Sequence, residues 1–147
     1  MSDPSENPRN GTGRRTPELS LKEVFLLASR DFPAARDRSA VVAEALDHLQ
    51  RGFAAHYAGG TASDEAILVG DNDYARAVET IARLDEPRFV EVASRMIRDG
   101  SGRIVSGGAV TVAFWTPHLG ELLAVVSGEG TDRSQERVRA ACREVSG

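Results

Sequence analysis

The carboxylates, imidazoles and thiol of this chain stand at spacings that fall short of a reactive set. Asp71 and Asp73 sit two positions apart, which puts them on different faces of a helix and prevents both from closing on one metal ion. Glu44 and His48 are four apart and share a face, but no third ligand at the HExxH spacing follows, so they read as an exposed helical pair. The turns Gly59-Gly60-Thr61 and Ser106-Gly107-Gly108 lack the lysine and the spacing of a phosphate-cradling loop, and turn geometry accounts for them. Cys142 falls at helical spacing with Val138, Ala141 and Val145, which marks a buried structural thiol rather than a nucleophile. His118, next to Pro117, reads as a helix-start residue rather than a base, and Trp115 as core or interface. No Ser, His and Asp pattern of hydrolase form is present. The expectation is therefore that the chain has no catalytic, metal-binding or cofactor-binding residues.

The element expected to organise the chain is the helix from Ser63 to Leu84. At about 100° per residue, Ile67, Tyr74, Val78 and Ile81 form one stripe, and Asp71 falls in its middle. A carboxylate on a core face requires a partner, so Asp71 is expected to be buried against an Arg or backbone donors. Gly70 beside it costs up to about 1 kcal/mol relative to Ala in a helix, which points to a close approach by another backbone. Gly70, Asp71 and Tyr74 are thus the candidate packing residues. Leu68 and Val69 lie well off the stripe, so the helix is apolar over more of its circumference than a surface helix needs, and it is expected at or next to an interface.

Around it, helical spacing predicts the rest of an all-α domain. Ser20 and Glu23 have the form of a capping box ahead of a short helix ending near Asp31. A helix from about Ser39 carries the stripe Val42, Ala45, Leu46, Leu49 and Phe53. Asp85 is placed to cap a helix bearing Phe89, Val90, Ala93, Met96 and Ile97, closed by Gly100 at its end. Residues 103–115 fit either a β-hairpin or a loop entering a helix. The stripe Val112, Trp115, Leu119, Leu122 and Val126 favours the helix, with Pro117 expected to kink or restart it. Gly128 to Gly130 ends this segment, and Thr131 caps the last helix. The expected domain is a single bundle of five to six helices over 18–147, preceded by a disordered tail over 1–17 that has no apolar residue after Met1.

A chain of 147 residues can bury a real core. Its net charge of −4 disfavours nucleic-acid and anionic-membrane binding, and no apolar run is long enough for a membrane span. Arg14 and Arg15 have the form of an export signal, but Glu18, Lys22 and Glu23 interrupt the apolar region such a signal needs. A single cysteine fits a reducing, cytoplasmic location.

The run LVGDNDYARAVETIA, within the Ser63 to Leu84 helix, resembles the trans-polyprenyl diphosphate synthase helix that reads roughly a-I-L-x-G-D-x-L-x-A-x-A-x-E-x-I-A. Ala113-Phe114 followed by Leu119-Gly120-Glu121-Leu122-Leu123-Ala124 is similar to a later segment of that family, in the right order. The resemblance implies a shortened, degenerate isoprenoid synthase fold. The family holds allylic diphosphate through Mg²⁺ on two Asp-rich motifs, and this chain has no DDxxD; Phe53 to Gly60 stands where the first should lie, and the second region is missing. The amino-terminal Gly-Gly-Lys and Arg cluster that would hold isopentenyl diphosphate is also absent. The implied role is a non-catalytic small or regulatory subunit, as a homodimer or as a heterodimer with a catalytic prenyl synthase. The alternatives are a helical module that binds an isoprenoid or other lipid without turnover, and an unrelated helical interaction protein.

Overall fold

Local capping sets the start of the first helix: the Ser20 hydroxyl accepts from the Glu23 amide at 3.1 Å. From there the computed structural model, which describes residues 19–58 and 64–147, is all-helical. Its elements are α1 (Leu21–Ala28), a 3-10 turn (Pro33–Ala35), α2 (Arg36–Ala58), α3 (Asp64–Ala82), α4 (Pro87–Val105), α5 (Val112–Ser127) and α6 (Thr131–Ser146). No strand occurs among the described residues, so the hairpin reading of 103–115 gives way to the end of α4, a turn, and the start of α5. The tail expected over 1–17 lies outside the described residues.

Each helix packs on its neighbours in sequence, and α6 returns to α1, closing the bundle. Ion pairs Arg30–Glu144 at 2.9 Å and Arg137–Asp31 at 3.0 Å cross that seam. The helix with the widest set of neighbours is α2, which touches α1, α3, α4, α5 and the 3-10 turn. Its stripe Val42, Ala45, Leu46, Leu49 and Phe53 is buried as its spacing predicts, with Ala43 and Gly52 added. Two polar clasps fix neighbours to it. The Gln50 side-chain amide accepts from Leu21 N and donates to Leu19 O, both at 2.9 Å, so that α2 satisfies backbone groups at the entry to α1. Arg38 donates to the Val126 carbonyl at 2.8 Å, serving an orphan acceptor in the last turn of α5.

Several boundaries differ from the sequence expectation, each for a physical reason. Asp85 does not cap α4; it adopts φ 55°, and Glu86 takes the cap, its carboxylate accepting from Arg88 N at 3.1 Å with Pro87 following. Gly100 does not end α4 but lies buried inside it, because a Cβ there would come within 2.7 Å of the Trp115 ring. Pro117 does not interrupt α5. It falls in the second turn, where the Thr116 hydroxyl donates to Val112 O at 3.2 Å. The last helix is entered at Gly130, with Thr131 its first residue rather than its cap.

The α2–α3 crossing is the most extensive contact in the bundle. Gly52 and Gly70 face each other there: a Cβ on either would lie 3.1 Å from the carbonyl oxygen of the other and would collide with a ring, Tyr74 for Gly52 and His56 for Gly70. Gly70→Ala should therefore lower stability by about 1–3 kcal/mol despite alanine's better helix propensity. Gly102→Ala, at a helical position with no atom near the added methyl, should raise it by up to about 1 kcal/mol. Urea midpoints of both variants test this pair of signs, and a stabilised Gly70→Ala protein would refute the close approach.

Candidate functional site

The same crossing assembles the chain's most organised group of functional side chains. Gly52 and His56 are one turn apart on α2, and Gly70 and Tyr74 one turn apart on α3, so each glycine opens the notch that receives the other helix's ring. The His56 and Tyr74 rings meet edge to face with centroids 5.0 Å apart, and Tyr74 Oη lies 3.2 Å from His56 Nδ1. His56 Nε2 is 3.2 Å from the Ile67 carbonyl and 3.5 Å from Asp71 Oδ1. Tyr74 is buried, and burial pushes its phenol well above the ordinary range.

From Tyr74 the aromatic contact continues inward. Phe53 lies 5.2 Å from Tyr74 and stacks on Trp115 at 4.8 Å, over the space that Gly100 leaves. Trp115 in turn meets Phe114 at 4.8 Å and His118 at 5.3 Å, each edge to face. The ribbon thus runs from His56 through α2, α3 and α5 to His118, whose Nε2 is 2.9 Å from Asp99 Oδ2 on α4. Beside it, Arg95 and Glu121 form a two-pronged pair, 3.0 Å at the longer contact.

Asp71 is not where its sequence stripe put it. Its side chain is 60% exposed and only skirts His56, while the buried face of α3 is Gly70, Tyr74, Ala77, Thr80 and Ile81. Ile67 is likewise exposed and Val78 only half-buried. The helix is turned because its closest contact is made at Gly70, a position with no apolar bulk to register in a hydrophobic stripe. Asp71→Ala should cost less than about 1 kcal/mol, in the range of an exposed pair rather than that of a buried charge.

His118 was expected to start a helix; it is instead a buried mid-helix residue, and no spacing rule brings Asp99, nineteen positions earlier, to it. Its Nδ1 is buried with no hydrogen-bond partner among the described residues, so the His118–Asp99 pair has no hydroxyl or thiol to activate. Glu44 is 4.0 Å from Arg83 rather than joined to His48 in a ligand pair. Among the described residues no three His, Cys, Asp or Glu side chains converge as a metal set. Cys142 is half-buried, and burial pushes its thiol up, away from the thiolate. No described helix is long and apolar enough to cross a membrane. Comparison with protein-family models, curated proteins and solved structures gives no match.

The hydrogen bond from His118, helped by Arg98, holds the Asp99 carboxyl below its usual range against a smaller effect of burial. A carboxyl whose folded value is depressed adds stability above its ordinary range and loses it as pH falls through the depressed value. Comparing urea midpoints of the parent and Asp99→Asn, the parent's advantage should be present at about pH 5 and shrink as pH falls from about 4 toward about 2. An advantage that does not change across that interval would show that Asp99 acts by shape alone.

Proposed function

We propose that this chain is a non-catalytic helical subunit that acts by association, with the amino-terminal half of α3 as its docking face and a catalytic prenyl diphosphate synthase as its partner. The observation that carries the reading is the exposure of three consecutive apolar residues, Ile67 at 40%, Leu68 at 69% and Val69 at 51%. Scattered exposed apolar side chains are ordinary, but three in sequence spread across about 200° of a helix that is anchored next door by Gly70 form a firm apolar surface. The segment resembling the synthase family, residues 68–82, includes two of the three, which is the support for the partner's class. The stacked Phe53 and Trp115 rings occupy the space between α2, α4 and α5, which favours a role at the surface over a lipid held in an enclosed channel. The ionisable groups of the ribbon are engaged in pairs with one another, which supports a structural use for them.

Light scattering after size exclusion tests the association, on the pure chain and on the chain co-expressed with a synthase from the same genome. A complex with the synthase is expected, and Leu68→Glu should abolish it while leaving the helical signal intact. A monodisperse monomer in both samples refutes the proposal, and a homodimer alone refutes the partner. The isolated chain with Mg²⁺, isopentenyl diphosphate and allylic primers should give no product, because ionisation without a metal cluster leaves the departing charge unstabilised. Chelator-sensitive chain elongation would overturn the non-catalytic assignment.

A further inference from the structure

A second surface, remote from α3 in sequence, has a different chemistry. Where α1 ends and α2 begins, a cleft of about 260 Å³ opens beside the 3-10 turn. One wall is apolar, made by Leu26, Phe32 and Pro33, and Leu26 is 39% exposed on the outer face of α1. Arg30 and Arg36 supply two positive charges, and no carboxylate lines the cleft. Arg30 is shared with Glu144 at 2.9 Å, whereas Arg36 makes no salt bridge among the described residues.

The floor carries two hydroxyls. Ser29 donates to the Leu26 carbonyl at 3.3 Å and so has its proton in use. Ser39 is 3% exposed, and its Oγ has no hydrogen-bond partner among the described residues. A buried hydroxyl that does not even bond back to its own helix is a donor awaiting an acceptor. The amino-terminal end of the 23-residue α2 adds a positive potential of the same sign as the arginines.

We infer that this cleft binds a phosphomonoester bearing a short apolar group. Phosphate oxygens would accept from the Arg36 guanidinium and the Ser39 hydroxyl, Arg30 would help to balance the second negative charge, and the apolar group would lie on Leu26 and Pro33. A phosphomonoester carries close to two charges at neutral pH, which matches two arginines better than a carboxylate does. The inference is independent of the docking role given to α3.

Amide NMR titration of the full chain at neutral pH tests it with butyl phosphate, inorganic phosphate and butyrate. Butyl phosphate should give saturable shifts confined to the end of α1 and the start of α2, with the other two ligands weaker. Arg36→Gln should weaken butyl phosphate at least tenfold, and Arg51→Gln, whose arginine pairs with Asp47 further along α2, should leave it unchanged. Ser39→Ala should weaken it several-fold without loss of helical signal. Co-sedimentation with phosphatidylcholine vesicles containing phosphatidic acid separates the sources. Arg36-dependent binding to vesicles as well as to butyl phosphate assigns a lipid headgroup, and binding to butyl phosphate alone assigns a free organic phosphate. No saturable shift, equal affinity in parent and Arg36→Gln, an equal loss in Arg51→Gln, or binding to vesicles only would each overturn the inference.

Discussion

Backbone-close packing of α2 on α3 is the constraint from which most of this structure follows. Two glycines allow it, and two rings hold it: Gly52 receives Tyr74, Gly70 receives His56, and the rings then meet each other. Neither glycine is there for a turn or an unusual backbone angle, since both lie within helices. What each contributes is missing volume, and the helix-propensity cost of up to about 1 kcal/mol per glycine is offset by contact area that wider spacing would forfeit. The reciprocity also fixes register, because sliding one helix by a turn would bring a ring against the facing backbone.

Once that crossing is set, the interior fills outward from it. Phe53 occupies the next position inward on α2, and its stack on Trp115 requires a third glycine, Gly100, on α4. The ribbon ends at His118, which meets Asp99 of α4. Charge is left to the periphery. Arg95–Glu121, Arg137–Glu129 and Arg30–Glu144 all sit on the outer seams between helices, in positions where each pair contributes little to stability but biases neighbouring helices toward one arrangement. An arginine-rich composition thus serves helix-to-helix stitching here: the guanidinium fork reaches two partners at once, as Arg137 does with Glu129 and Asp31 while lying over the Phe32 ring.

Helices announced by repeating bulk were legible in the sequence. The buried stripe of α2 from Val42 to Phe53, that of α5 from Val112 to Val126, and the cap at Ser20 stand as spacing and side-chain chemistry predict. Of the features defined by the absence of a side chain, the close backbone approach at Gly70 was legible, but its partner Gly52 and the void at Gly100 were not. Gly100 resembled a helix terminator and is a packing void, and the buried face of α3 is centred on Gly70, so the stripe through Ile67 and Asp71 pointed to the wrong side. The organising role expected of α3 belongs to α2, which has more neighbours. Pairings across the fold were also beyond sequence spacing: nothing local joins Asp99 to His118 or His56 to Tyr74. The signal that could have found the second is the matched GxxxH and GxxxY on successive helices, a small residue one helical turn before a ring in each.

The filled interior bears on where function can reside. An apolar ligand channel between helices needs residues that stop short of contact, yet Phe53, Trp115, Leu119 and Leu122 are all at most 2% exposed and the ring centroids are at stacking distance. Reactive chemistry inside the bundle would need a polar group facing open space, and the buried His118 is walled by Trp115 and Phe114. Two features left on the outside, among the described residues, are an apolar helix end at Ile67 to Val69 and a cationic cleft at Arg36. The first is held at the edge of the rigid α2–α3 crossing, so its apolar side chains are presented without the entropy cost of ordering a loop on contact. That preorganisation, set by two glycines in the interior, is the physical link between the way this chain packs and the surface role proposed for it.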